Sequence, residues 1–234
     1  MNENETHIEE LPVQASRTDI HKVIKNKVHR IDKEFTNAFE FINNYEKTVT
    51  FFGSARFKED DEHYIKAREL AKKVSNLGYT VLTGGGGGIM EAANRGAFEA
   101  GNASLGLNIR LPHEQMLNSY TTKSLQFDYF FVRKVAMSFA AEAYIFFPGG
   151  FGTLDELFEI LTLVQTRKIR KIPIILVGAD YWDDLNVFIK KNMLSKHKAI
   201  EESDLDLYLI SDNDEEILEI IKAVPIKPMI HTKH

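Results

Sequence analysis

The chain has 234 residues, 44% of them hydrophobic and 27% charged, a length and balance that suit one ordinary globular core. A formal net charge of -5 and a pI near 5.9 argue against a nucleic-acid partner, whose phosphate backbone needs clustered Lys and Arg, but leave room for a small anion held by local positive potential. Zero cysteines exclude disulfides, thiolate chemistry and cysteine zinc sites, and the eight histidines show no His-x-x-x-His spacing beside an acid, so no metal site is expected.

The opening Met-Asn-Glu-Asn-Glu lacks the basic-then-apolar pattern of a signal peptide. No apolar run approaches the roughly 20 residues that span a bilayer, so a cytoplasmic protein without a membrane partner is expected. Residues 1 to about 16 are polar and acidic and read as disordered. From Thr18 to Asn43 apolar residues recur at Ile20, Val23, Ile24, Val28, Ile31, Phe35, Ala38 and Ile42, close to helical periodicity. The opposite face carries Lys22, Lys25, Lys27, Arg30 and Lys33 and reads as solvated. This places an added helix within residues 1–45, ahead of a main domain over 46–225 and a short tail over 226–234 that holds His231 and His234.

Strand-like and helix-like runs then alternate. Strand Thr48–Phe52 precedes helix Asp61–Leu77, strand Thr80–Thr83 precedes helix Ile89–Ala100, and strand Ser104–Asn108 follows. Next come a helix near Phe131–Ala141, strand Ala143–Phe147, helix Leu154–Thr166, strand Ile174–Val177 and helix Trp182–Met193. Leu207–Ile210 reads as a last strand and Asp214–Ala223 as a last helix. Such alternation with nearly continuous apolar strands predicts an α/β protein, a parallel sheet covered on both faces. Ligands of open sheets of this kind sit beyond the carboxyl ends of the strands, where the turns at Gly53-Ser54, Gly84 and Gly149 emerge.

Two of those turns are rich in glycine. Gly84, Gly85, Gly86, Gly87 and Gly88 run into the helix-like Ile89-Met90-Glu91. They miss the dinucleotide fingerprint, because Ile89 or Met90 stands at the third glycine, and Arg110 rather than an acid falls about 20 positions on. The phosphate-loop pattern fails as well, since no Gly-Lys-Ser/Thr follows. What remains is general physics: glycine lets the backbone approach an anion, and a helix start offers unpaired N–H groups with partial positive charge. Pro148-Gly149-Gly150-Phe151-Gly152-Thr153 repeats the arrangement after Ala143–Phe147. Within it, Thr153-Leu154-Asp155-Glu156 matches the Ser/Thr-x-x-Glu capping box, in which Glu156 bonds the backbone of Thr153. The stripe Leu154, Leu157, Phe158, Leu161 and Val164 puts Glu156 about 200° around the helix from Leu154, hence away from the buried face and towards the turn's open side. Capping and catalysis both fit that residue. Arg133-Lys134 lies near a helix start, where cations are disfavoured unless they meet an anion.

Pro148-Gly149-Gly150-Phe151-Gly152-Thr153-Leu154-Asp155-Glu156, together with Arg133-Lys134 and Gly84 to Met90, resembles the LONELY GUY (LOG) family of cytokinin riboside 5'-monophosphate phosphoribohydrolases, whose relatives were long labelled lysine decarboxylases. The resemblance runs from about Thr48 to about Ala223. It implies a Rossmann-like, doubly wound sheet, a homodimer or higher homo-oligomer, and a nucleoside 5'-monophosphate such as AMP as ligand. By the motif match Arg133 and Glu156 correspond to the catalytic pair. The resemblance further implies that Gly149, Gly150, Gly152 and Thr153 would hold the phosphate, while Gly53, Ser54, Gly84 to Gly88, Met90 and Lys134 would complete the pocket. Two departures stand out: Glu91 follows Met90 where plant-type members usually have glycine, and Phe131-Val132 precedes Arg133 where they usually carry His-Glu. With the added helix they resemble a longer bacterial subgroup. The implied reaction is cleavage of the N-glycosidic bond of a purine or cytokinin nucleotide to free base and ribose 5-phosphate, with no cofactor. A non-catalytic nucleotide sensor or molybdenum-cofactor carrier of similar fold is the alternative, disfavoured by the joint presence of Arg133 and Glu156. Nothing marks a pyridoxal-phosphate lysine, so a decarboxylase is a poorer fit.

Overall fold

The computed structural model describes residues 17–110 and 116–225; the expectations for residues 1–16 and 226–234 lie outside the described residues. The order is α1 (Arg17–Asn43), β1 (Thr48–Phe52), α2 (Glu62–Asn76), β2 (Thr80–Thr83), α3 (Ile89–Glu99), β3 (Ser104–Ile109), β4 (Lys123–Phe127), α4 (Phe130–Phe139), β5 (Ala143–Phe146), α5 (Phe151–Gln165), β6 (Ile174–Leu176), α6 (Ala179–Phe188), β7 (Leu209–Ile210) and α7 (Asp214–Lys222). The strands form one parallel sheet in the order β4-β3-β2-β1-β5-β6-β7. From β1 the chain winds outward one way through β2 to β4, then returns to β5 and winds the other way, so the switch point lies between β1 and β5.

Side chains alternate across a strand, and both faces of the central strands are apolar. Phe52, Leu82, Tyr144, Phe146 and Leu176 face one core with α1, α4, α5 and Trp182. Phe51, Val81, Ile145, Phe147 and Val177 face the other, with residues of α2, α3 and α7. The rings of Phe52 and Phe146 stack at 4.7 Å across the β1–β5 seam. That rigid seam is the floor beneath the site.

Four elements differ from the sequence reading, α5 by starting three residues early, at Phe151. Strand β4 has no apolar run because it is the sheet's edge, with Lys123, Ser124 and Gln126 exposed and only Phe127 buried; pairing to β3 makes it a strand. Helix α6 starts three residues before Trp182, where the Asp212 carboxylate accepts the N–H groups of Gly178 (2.6 Å) and Ala179 (3.1 Å), and it ends in a π-helical stretch, Ile189–Lys196. Helix α1 forms as expected, but only its second half packs. Ile31, Phe35, Ala38 and Ile42 join the core, whereas Ile20, Ile24 and Val28 are exposed. Glu34 of α1 also accepts the N–H groups of Asp128 and Tyr129 and so ties the added helix to the turn that leads into α4. Among the described residues no helix is long and apolar enough to cross a membrane.

Candidate active site

The carboxyl ends of β2, β1 and β5 are neighbours in the sheet, and the turns that leave them meet there. Ser54 N–H donates to the Pro148 carbonyl (3.0 Å), and Ile89 N–H donates to the Ser54 carbonyl (3.0 Å), tying the three turns together. Gly88 has φ +62° and lies so close to Ser54 and Ala55 that a β-carbon would collide with their backbone. Only glycine allows both the left-handed conformation and this approach. At Gly149 a β-carbon would run into the Thr153 side chain, so that hydroxyl sits over the turn. Gly150 and Gly152 have no atom near their missing β-carbons and border open space.

A buried polar network holds the glycine turn after β2. Thr83 Oγ1 accepts Gly85 N–H (2.8 Å) and donates to Asn94 Oδ1 (2.6 Å). Asn94 Nδ2 donates to Ser104 Oγ and the Leu105 carbonyl. Asn118 donates its side-chain N–H groups to Asn94 Oδ1 and the Gly86 carbonyl, and its backbone N–H to the Gly85 carbonyl. Sequence reasoning passed over Thr83, Asn94 and Asn118, which carry no motif of their own. The only cue was an Asn in the middle of an apolar helix face, where an unpaired amide would be costly.

Helix α5 begins at Phe151, with Gly150 as its cap residue and no side-chain cap. The capping box therefore does not form, and Glu156 lies in the second turn. Its predicted outward direction is also corrected. The buried face of α5 is Thr153, Glu156, Leu157, Ile160 and Val164, one helix position round from the stripe read in the sequence, and Glu156 is 5% exposed. The N–H groups of Phe151, Gly152 and Thr153 precede the first intrahelical bond, from Leu154 N–H to the Gly150 carbonyl (3.1 Å), and so form the positive end of the helix dipole.

Helix α4 brings Arg133 to the same place. Its Nη2 lies 3.7 Å from Glu156 Oε1, an ion pair too long for a hydrogen bond. Its Nη1 is close to Gly84, whose near neighbour is also the Met90 sulfur, and its guanidinium packs over the Phe130 ring at 5.1 Å. Arg133 Nε and Glu156 Oε2 are buried without a hydrogen-bond partner in the protein. Burial pushes the Glu156 carboxyl up to about 7, against the opposing pull of Arg133 and Lys134. Burial also pulls the Arg133 guanidinium down, partly offset by Glu156, but guanidinium remains a cation. The carboxylate is thus poised near neutrality beside a fixed positive charge.

Lys134 points to the exposed flank of α5, 2.7 Å from Asp155 and 3.4 Å from Glu159. Burial lowers its pKa, but the Asp155 hydrogen bond and neighbouring carboxylates outweigh that and raise it overall. The two departures resolve as packing. Glu91 accepts the Tyr64 hydroxyl (3.0 Å) from α2, while Val132 is in the core and Phe131 meets Phe35 of α1 at 6.4 Å. Val132 thus serves the core side of α4, while Phe131 flanks the added helix and stays half exposed. Arg110, which stands where a dinucleotide fingerprint would carry its acid, pairs with Asp128 (2.8 Å). An open groove of about 750 Å³ between α6 and β7, lined by Asp183, Asn186, Lys190 and Tyr208 among others, contains none of the expected site residues.

The parallel sheet, wound both ways from a switch point lined by glycine turns, defines a Rossmann-like α/β protein. Solved structures of the same fold include a molybdenum cofactor binding protein from Rippkaea orientalis (TM-score 0.59, 20% identity, covering 76% of this chain and 96% of that one). The molybdenum cofactor carrier protein of Chlamydomonas reinhardtii is similar (TM-score 0.56, 19% identity, covering 76% and 96%). Residues 90–221 match the protein family described as "Possible lysine decarboxylase", and the chain belongs to that family, bearing out the LOG resemblance. A probable cytokinin riboside 5'-monophosphate phosphoribohydrolase of Oryza sativa subsp. japonica is 30% identical over 153 residues, 64% of this chain and 61% of that protein. A cytokinin riboside 5'-monophosphate phosphoribohydrolase of Arabidopsis thaliana is 27% identical over 186 residues, 77% of this chain and 79% of that protein. The chain thus spans less than two thirds of the rice relative's length.

Proposed function

We propose that the protein is a phosphoribohydrolase that cleaves the N-glycosidic bond of a purine or cytokinin nucleoside 5'-monophosphate, such as AMP, to the free base and ribose 5-phosphate. The observation that carries this reading is the buried Glu156–Arg133 pair at the meeting point of three glycine turns. The family relationship and the names of the relatives support it.

In this reading the 5'-phosphate lies at the start of α5, against the N–H groups of residues 150–153 and the Thr153 hydroxyl, with Gly53, Ser54 and the Gly84–Gly88 turn closing the pocket and Met90 beside the base. Holding the phosphate fixes the ribose relative to Glu156, and much of the rate gain comes from that positioning. As the C1'–N bond breaks, positive charge develops on the sugar, and the Glu156 carboxylate stabilises it. Glu156 takes a proton from the attacking water, whose oxygen bonds to C1' as the C1'–N bond breaks; the departing base takes a proton from solvent and Glu156 returns its own to solvent, so that one water is consumed in all. Arg133 stays charged throughout and so binds substrate or stabilises the leaving group, rather than acting as an acid. Lys134, paired with Asp155 and Glu159, offsets part of the negative potential that those carboxylates would otherwise set at the rim.

The same fold could hold a nucleotide or molybdenum-cofactor carrier that does not turn over. Incubation with a panel of nucleoside monophosphates, with chromatographic detection of free base and ribose 5-phosphate, separates the readings. Release in equal amounts supports the hydrolase; tight binding of AMP without release would leave a carrier. We also propose a homo-oligomer, since Phe39, Phe130, Phe131 and Phe139 are 42–52% exposed around α4, with Phe39 and Phe139 in edge contact at 6.2 Å. A monomeric mass by sedimentation at micromolar concentration would exclude it.

A further inference from the structure

Tyr181, in the first turn of α6, reaches across from the β6 end of the sheet, and its hydroxyl donates to the Gly149 carbonyl (2.6 Å). No motif drew attention to this residue. Gly149 is thereby held from two sides, by the Tyr181 hydroxyl at its carbonyl and by the Thr153 side chain against its α-carbon. Among the described residues no peptide is cis, and a trans peptide directs its C=O and N–H oppositely. With the Gly149 carbonyl turned to Tyr181, the Gly150 N–H must point away from α6. The adjacent Pro148 carbonyl is committed to Ser54 N–H, so consecutive peptides of this turn are each locked by a different element.

Tyr181 is itself fixed. Its ring meets Trp182 edge-on at 4.8 Å, and the buried indole donates to the Val177 carbonyl (3.0 Å). Asp212 caps the helix start from the far side through Gly178 and Ala179. A flexible glycine pair otherwise samples peptide orientations freely, and a reversed 149–150 peptide would present a carbonyl oxygen where an anion needs an N–H.

Resting on the reading above, we infer that Tyr181 is a positioning residue for the 5'-phosphate, setting the orientation of the 149–150 peptide so that Gly150 N–H is available to the anion. It touches neither the sugar nor the base, so its effect is confined to ligands that carry the phosphate.

The test is calorimetric binding of AMP, ribose 5-phosphate and adenosine to the protein with and without Tyr181→Phe, both in a Glu156→Gln background that suppresses turnover of AMP, with urea denaturation of both. Loss of one hydrogen bond's orientation predicts about 5- to 10-fold weaker AMP and ribose 5-phosphate binding, with adenosine affinity unchanged. Equal affinity of the two proteins for AMP would overturn the inference, as would a parallel loss of adenosine binding, which marks general disruption. Should the Phe variant not fold, Tyr181→Met fills the same space without a donor and is read by the same criteria. Protein with Tyr181 intact that binds neither AMP nor ribose 5-phosphate refutes the monophosphate reading itself and the inference with it.

Discussion

Replacing Glu156 with Gln separates chemistry from structure, because the amide keeps the shape and removes the charge. No capping box is at stake, since α5 starts at Phe151. A positioned general base contributes about 10²- to 10⁴-fold, so kcat/KM for AMP should fall by that factor while the protein stays folded. The pH profile follows from the carboxyl's position at about 7. Only the ionised form can take a proton, so wild-type kcat/KM should rise about tenfold per pH unit up to about 7 and then level, whereas the Gln variant's residual rate lacks this limb. Stability moves the opposite way. The folded pKa lies above the unfolded value, so the neutral carboxyl stabilises the fold below about pH 4.5, and this contribution is lost as pH rises through about 7. The rise from 4.5 to about 7 corresponds to about 3 kcal/mol. Urea denaturation should therefore show wild type losing stability relative to Glu156→Gln between pH 5 and 8, by up to that amount; the variant's loss of a counter-charge for Arg133 does not change with pH in this range and shifts only the offset between the two curves. A fully active Gln variant, or a wild-type profile flat from pH 5 to 8, would refute the assignment.

Gly88→Ala should lower stability by more than about 2 kcal/mol in urea denaturation, since the residue has φ +62° and a β-carbon there meets the backbone of Ser54 and Ala55. Gly87→Ala, whose β-carbon comes no nearer than 3.5 Å to the Ala55 carbonyl, should cost less than about 1 kcal/mol. Thr83→Val keeps the shape but strands Gly85 N–H and removes a partner of Asn94, so a loss of about 1–3 kcal/mol is expected, together with weaker AMP binding as the glycine turn loosens. A Val variant as stable as wild type would show that the network does not hold that turn.

The sheet was legible because its central strands are buried on both faces. Runs such as Ala143–Phe147 are too short for a helix of their own, and the glycine turns mark where the chain leaves them. Strand β4 was not legible, since an edge strand with exposed Lys123, Ser124 and Gln126 keeps a polar sequence and owes its form to β3. Arg133, Glu156 and their glycine turns could be named from the sequence, but the direction of Glu156 could not. Helical periodicity counts apolar residues, and a buried carboxylate misleads the count: the stripe through Leu154 put Glu156 about 200° away on the open side, while the fold turns the helix so that Glu156 is buried beside Arg133. Tyr181 and the network of Thr83, Asn94 and Asn118 act through contacts between residues far apart in the chain. Apart from a lone Asn94 on an apolar helix face, local pattern carries no trace of such contacts. The half-buried α1 teaches the same lesson, since one unbroken stripe supplies core residues from Ile31 onward and exposed ones before it.

The most direct test of the central claim is a crystal structure of Glu156→Gln with AMP bound. The account predicts the phosphate at the N–H groups of residues 150–153, with the side chain of residue 156 within about 3.5 Å of C1' or of a water beside it. Phosphate bound elsewhere, or a ribose remote from residue 156 while the nucleotide occupies the glycine turns, would contradict it.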